Sequence, residues 1–259
     1  MQIKVGVQLA SLRQPFKKAL LTAAEMGADA VEIDVRNQLI PSDMTSTAIR
    51  QVRKMLDDLN LRVCAVSFQT RRGYNVLDQL EQRVEATKQA MDFAYQLGTN
   101  VVINQIGRVP EEPKGPDWEL LLETLGDIGR YGQHIGAMLA AETGSESGEQ
   151  LLQLIDALPT GSLVVNFDPG NLIVNDHSPS DAIALLAQHV QHVHANDGVR
   201  DLAQGRGIEV PLGRGSADFP ELLATLEEQH YRGYFTIERR NAENPIFEIG
   251  EAVKFLRNI

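Results

Sequence analysis

The sequence predicts an α/β fold, a (β/α)8 TIM barrel formed as a single domain across residues 1–259, and three features lead there. Short β-rich runs alternate with longer segments of helical period from one end of the chain to the other. The alternation meets no linker, low-complexity stretch or shift of composition. The strand-like runs number eight, and eight parallel strands joined by helical crossovers close into a cylinder. An open doubly wound sheet shares the alternation and is the competing architecture, because periodicity alone does not reveal closure.

In chain order, the first strand is read at 3–9, where apolar and polar residues alternate, and a helix with one apolar side follows at 16–26. A second strand runs over 30–34, before a helix at 47–59. The third strand, 62–68, precedes a helix at 76–97, and the fourth, 100–105, precedes one at 117–134. Strands at 136–142, 162–168 and 190–196 come next, and a helix at 219–229 leads to the eighth strand at 234–238. Gly27, Gly98, Gly136 and Gly233 fall where a helix hands over to a strand, positions that favour a residue tolerant of positive φ. Ser147-Gly-Glu-Gln150 has the spacing of a capping box and opens the fifth helix.

Of the 259 residues, 43% are hydrophobic and 23% charged, the balance of a folded globular chain. A formal charge of -11 repels phosphate backbones and anionic bilayers, so neither nucleic acid nor a membrane is an expected partner. No apolar run approaches the roughly 20 residues of a membrane-spanning helix. Met1 to Leu9 lacks the pattern of a signal peptide. The lone cysteine, Cys64, sits in an apolar run, can form no intramolecular disulfide and reads as a buried, inert thiol. These features fit a cytoplasmic protein.

In either architecture the chemistry collects at the C-terminal ends of the strands. Four consecutive ends carry Glu142, Asp168, His194 and Glu238, on the fifth to eighth strands, so the four are expected to face one another. Three carboxylates and an imidazole suit one divalent ion, Mn²⁺, Zn²⁺, Co²⁺ or Mg²⁺, and do not suit Cu(I) or an iron–sulfur cluster. Without a cation the carboxylates would repel one another and one would have to hold a proton. On the same rim, Glu32 and Asp34 end the second strand and Asn104 and Gln105 the fourth. One member of each pair is expected to point inward, with Glu32 and Gln105 favoured. His192, one layer below His194, reads as a packed barrel histidine. The loop Gln69-Thr-Arg-Arg-Gly-Tyr74 has features of a lid over an anionic sugar, and also of a plain exposed loop. The glycine pairs at 205 and 207 and at 213 and 215 have no nucleotide-binding context.

The strand ends Ala140-Ala-Glu142-Thr, Phe167-Asp-Pro-Gly-Asn171, Val193-His-Ala-Asn-Asp197 and Thr236-Ile-Glu238, with Pro211-Leu-Gly-Arg-Gly215 and Tyr231-Arg-Gly-Tyr234, resemble the xylose isomerase-like TIM barrels of the sugar phosphate isomerase/epimerase superfamily. The resemblance spans essentially the whole chain. It implies a single divalent ion held by Glu142, Asp168, His194 and Glu238, with Glu142 and Glu238 also acting as acid and base. It further implies proton movement alpha to a carbonyl of a small sugar or sugar-like substrate, through a metal-bound enediolate. Chemical logic agrees: such a proton is too weakly acidic for a free carboxylate, and a cation stabilises the charge that develops on oxygen.

The chain departs from one branch of that family. In the ketose 3-epimerases the third position after the metal-binding aspartate is typically a histidine that contacts substrate oxygen, and here it is Asn171. Asparagine can donate a hydrogen bond but cannot carry a proton, so Asn171 is an orienting, substrate-binding candidate. Arg200, six residues after His194, stands where that branch carries an arginine that binds substrate oxygen, and the charged loop around it also allows a solvated role.

A metal-dependent sugar isomerase/epimerase is therefore the expected activity. The alternative is a dehydratase of the same family, such as an inosose or dehydroshikimate dehydratase, which begins with the same proton removal and then expels a hydroxyl. Endonuclease IV-like relatives use several more histidines than the single strand-end His194, and the acidic charge also argues against DNA. A non-enzymatic sugar-binding barrel finds no support while both glutamates are present. The expected partner is a small carbohydrate-like molecule, and a homo-oligomer stays open.

Overall fold

The computed structural model describes residues 3–200 and 207–259. Strands β1 (Lys4–Gln8), β2 (Ala30–Asp34), β3 (Arg62–Ser67), β4 (Val101–Asn104), β5 (Met138–Glu142), β6 (Val164–Phe167) and β7 (Val190–Ala195) come first in the chain. After them come β8 (Asp197–Val199), β9 (Ile208–Val210) and β10 (Tyr234–Ile237). The barrel closes in the order β1-β10-β7-β6-β5-β4-β3-β2, every neighbouring pair parallel. All eight expected strands are present, and the open-sheet alternative is excluded by the pairing of β1 with β10.

Around the barrel lie α1 (Phe16–Glu25), α2 (Ser46–Asp58), α3 (Leu80–Leu97), α4 (Pro116–Ile135) and α5 (Gly148–Ala157), then α6 (Pro169–Val174), α7 (Pro179–Leu186), α8 (Phe219–Glu228) and α9 (Pro245–Asn258). Their buried apolar sides and the outward faces of the strands share one large core. The capping box is formed: Ser147 Oγ accepts from Gln150 N–H while the Gln150 side chain accepts from Ser147 N–H. The helix expected from residue 76 starts at Leu80, because Gln79 takes a left-handed conformation at φ 56°.

Two connections depart from one strand, one helix. β6 is followed by both α6 and α7, and β7 runs into β8, which pairs antiparallel with β9 before the chain reaches α8. The segment read as a charged loop thus begins as a hairpin, while Gly205 and Arg206 lie outside the described residues. Gly233 is also not left-handed. That role falls to His230 at φ 58°, and Gly233 is required for space, since an added Cβ would lie 2.3 Å from Tyr231 Oη.

The two-residue period of a strand decides what lines the cylinder. Its lower layers are apolar, with Ala65, Val101, Ile103, Ala140 and Val164 packed on Met138. Two residues further along the same faces come Ser67, Gln105, Glu142 and Asn166, so the interior changes from apolar to polar towards the C-terminal mouth.

Candidate active site

Each acidic or imidazole group at that mouth is held by its own strand end. Asp168 directly follows β6 and caps α6: Oδ1 accepts from Asn171 N–H at 2.7 Å, leaving Oδ2 turned to His194 Nδ1 at 3.7 Å. Glu142, the last residue of β5, accepts from Gln69 Nε2 at 3.0 Å and from Asn171 Nδ2 at 3.2 Å. His194 on β7 directs Nδ1 at the carboxylates, 2.8 Å from Glu238 Oε2 and 3.3 Å from Glu142 Oε1. Its other nitrogen, Nε2, lies 2.7 Å from Glu32 Oε2. One ligand atom each from Glu142, Asp168, His194 and Glu238 can be chosen so that all lie within 4.8 Å of one another, and all four residues are buried.

Arg240 completes the cluster. It leaves the end of β10 two residues beyond Glu238 and reaches both glutamates, with Nε donating to Glu238 Oε1 and Nη2 to Glu142 Oε1 at 3.1 Å. Beneath lies a buried polar chain: His192 Nδ1 meets Asn166 Oδ1 at 2.8 Å, its Nε2 meets Thr236 Oγ1 at 2.8 Å, and Thr236 meets Cys64 Sγ at 3.2 Å.

Burial and mutual proximity set the charges. Burial pushes Asp168 up to about 6, with the repulsion of Glu238 and Glu142 adding to it and His194 pulling the other way. Burial also opposes ionisation of Glu238, but His194 and Arg240 outweigh it and hold that carboxyl at about 2. His194 is likewise disfavoured as a cation by burial, yet Glu32 and Glu238 raise it well above its usual range. Burial, then the charge of His194, holds His192 down at about 3, so it is neutral. Burial pushes the Cys64 thiol up to about 12, as expected of an inert cysteine.

Two cavities open over this layer. One of about 390 Å³ is lined by Gln8, Ser11, Ser67, Gln69, Gln105 and Glu238, among others, and one of about 510 Å³ by Asn171, Asn196, Glu209 and Asn241, among others; Arg240 borders both.

A profile of the xylose isomerase-like TIM barrel family matches residues 20–259. The chain belongs to that family. An inosose dehydratase from Clostridium beijerinckii is 21% identical over 275 residues, covering 93% of this chain and 89% of the relative. Among solved structures, a xylose isomerase domain protein from Planctomyces limnophilus superposes with a TM-score of 0.86 at 24% identity, covering 100% of this chain and 97% of that one. A xylose isomerase-like TIM barrel protein from Mycobacterium smegmatis, in complex with magnesium, gives 0.77 at 17% identity, covering 99% and 97%. At these identities the structural likeness speaks to the fold.

The barrel brings together Glu142, Asp168, His194 and Glu238, and puts Asn171 against Glu142. Gln105 lines the smaller cavity, and its N–H donates to Gln69 Oε1 at 2.8 Å. Glu32 and Asp34, two residues apart, share the inward face, so the expectation of one inward member fails for that pair. Asp34 lines the smaller cavity, whereas Glu32 is fully buried behind His194 and held by Gln8 Nε2 at 3.0 Å. Arg200 is exposed and pairs with Asp176 at 2.9 Å, away from the cluster.

Asp197, in the His-x-x-Asp motif, organises the rim. Its carboxylate accepts from the N–H groups of Gly198, Gly213, Gly215 and Ala217 at 2.8–3.1 Å, which fastens the segment after β9 to the end of β7. Tyr74 is a core plug and no part of a lid, fully buried with Oη 2.7 Å from Thr87 Oγ1. Gln69 entered the sequence reading only as the start of the candidate lid loop, and Asn166 and Arg240 were not singled out. Asn166 and Arg240 each stand two positions from a ligand candidate on an inward face, and that spacing was the available signal.

Proposed function

We propose that this barrel is a divalent-metal-dependent isomerase or epimerase that moves a proton alpha to a carbonyl of a small sugar or sugar-like substrate. The observation that carries the reading is the pair Glu142 and Glu238: buried carboxylates on β5 and at the end of β10, separated round the barrel by β6 and β7, both at one mouth. Inverting or relocating a C–H bond needs a group on each side of a planar intermediate, and two separated strands supply that where one side chain could not.

The donor set fits a divalent ion. Glu238 Oε2 is buried and receives no hydrogen bond, since its approach to His194 Nδ1 lacks the geometry of one. Such an oxygen is costly to leave without a partner. Glu142, Asp168, His194 and Glu238 would hold Mn²⁺, Zn²⁺, Co²⁺ or Mg²⁺, and the magnesium in the Mycobacterium smegmatis relative supports a hard or borderline cation. Bound there, the ion would supply charge stabilisation for oxygen atoms of the substrate.

The chain's own residues do the rest. One glutamate takes the alpha proton, and the other returns a proton to the opposite side of the same carbon for epimerisation or to the neighbouring carbon for isomerisation. Gln69 and Asn171 fix the orientation of Glu142. Ser67 and Gln105 offer a hydroxyl and an amide group suited to a polyhydroxylated molecule in the 390 Å³ cavity.

The inosose dehydratase relatives favour a second reading, in which the same proton removal is followed by loss of a β-hydroxyl. NMR of the products in deuterated buffer separates the two, using ketoses, their phosphates, inososes and hydroxypyruvate with Mn²⁺ added. Solvent deuterium at carbon with all hydroxyls kept identifies isomerisation or epimerisation, and loss of water identifies the dehydratase. Absence of both deuterium incorporation and dehydration across the whole set would reject the proposal.

A further inference from the structure

We infer that Arg240 is a positioning residue that bridges Glu142 and Glu238 and competes with the divalent ion for them, so that loading the site requires the guanidinium to leave. The inference rests on the metal-site reading above. Arg240 places Nε on Glu238 Oε1 and Nη2 3.1 Å from Glu142 Oε1. Among the described lysines and arginines, no other pairs with either glutamate. The oxygens it uses belong to two of the four residues that would coordinate the ion. Arg240 takes the Glu142 oxygen that faces His194 Nδ1 at 3.3 Å, and on Glu238 it takes Oε1, the oxygen beside the unpartnered Oε2, so a dication held at the cluster would sit in close repulsion with the guanidinium.

The local structure separates a fixed backbone from a movable tip. Glu209 Oε1 accepts from Arg240 N–H at 2.8 Å, and Glu209 Oε2 accepts from Asn241 N–H and Nδ2, each at 2.8 Å. Arg13 donates to the Arg240 carbonyl. The main chain is therefore clamped to β9 and to the segment after β1, while the Arg240 side chain is 46% exposed over glutamates that are 0% exposed. The cavities of about 390 and 510 Å³ lie on either side of it, and both have room for a displaced guanidinium. A longer-lived bridge stabilises the metal-free protein and lowers the apparent metal affinity by the same free energy.

The test is Mn²⁺ binding by calorimetry, together with thermal melting of the metal-free and Mn²⁺-saturated forms, for the parent, Arg240→Gln and Arg240→Lys. Arg240→Gln is expected to bind Mn²⁺ about tenfold more tightly and to melt lower than the parent only when metal-free. Arg240→Lys keeps the charge but cannot span both carboxylates, and its affinity falls between the two. Equal or weaker affinity in Arg240→Gln overturns the competition while leaving the metal site standing. A lysine variant indistinguishable from the parent overturns the bridge, since charge alone would then account for the effect. Absence of binding in all three overturns both this inference and the metal-dependent function.

Discussion

Glu32 Oε2 lies 2.7 Å from His194 Nε2, on the side of the imidazole opposite the three carboxylates that approach Nδ1. With an ion bound, a proton kept on Nε2 and shared with Glu32 would leave the Nδ1 lone pair for the cluster, and the buried carboxylate, itself held by Gln8, fixes the ring orientation. Glu32 thus acts on the site through His194, without itself reaching the cavities.

Glu32→Gln is nearly isosteric and keeps a hydrogen-bond acceptor, so the barrel should fold as before. Divalent-ion affinity is expected to fall by about 10- to 100-fold, the usual effect of losing the partner of a ligating histidine. A Mn²⁺ titration of folded protein measures it, and unchanged affinity would remove Glu32 from the site.

Asp197 binds the rim through four backbone N–H groups, those of Gly198, Gly213, Gly215 and Ala217. Asp197→Ala leaves those donors without the carboxylate and is expected to cost about 3 kcal/mol. Urea unfolding reads the loss. Gly215→Ala acts on the same contact from the other side, since a Cβ there would lie 2.0 Å from Asp197 Oδ1.

Glu146, in the turn between β5 and α5, gives a pH signature. Burial raises its carboxyl from 4.5 to about 7; Ser145 opposes the shift and the charge of Glu142 adds to it. Between those values the folded chain keeps a proton that the unfolded chain has released. The residue's contribution to stability is therefore full below 4.5 and is lost as pH rises through about 7. Glu146→Gln removes that loss. The variant should match the parent near about pH 4 and exceed it by about 3 kcal/mol near about pH 8. Melting curves at the two pH values check it, and a difference independent of pH would contradict it.

Glu238→Gln replaces the proposed proton carrier with a group of the same shape. Deuterium exchange into a substrate should slow by about 100- to 10,000-fold with the far-ultraviolet circular dichroism unchanged. Parent-level exchange in that variant would show that Glu238 moves no proton.

The barrel was legible because its information is periodic. Alternation of strands and helices gave all eight barrel strands, and the last inward position of each apolar run gave Glu142, Asp168, His194 and Glu238. Pairing of β8 with β9 was not legible, since two three-residue strands carry too little pattern to show above a charged segment. For Arg200 the sequence left a substrate contact and a solvated role open, and the structure shows it exposed and paired with Asp176. Spacing along a chain places a residue at a strand end but does not say which partner its long side chain will choose, and here Asp176 was within reach. Arg240 was hidden by the same freedom, although its two-residue offset from Glu238 put it on the right face. Glu32 was found, yet its role depends on a ring nitrogen on another strand, and only the folded register of β1, β2, β10 and β7 brings the two together.

The central claim is that Glu142, Asp168, His194 and Glu238 form one divalent-ion site. Calorimetric titration of metal-free protein with Mn²⁺, run beside Asp168→Ala with folding checked by circular dichroism, tests it most directly. About one ion per chain in the parent, with binding lost in the folded variant, is the predicted result. No binding in the parent, or undiminished binding in Asp168→Ala, would contradict it.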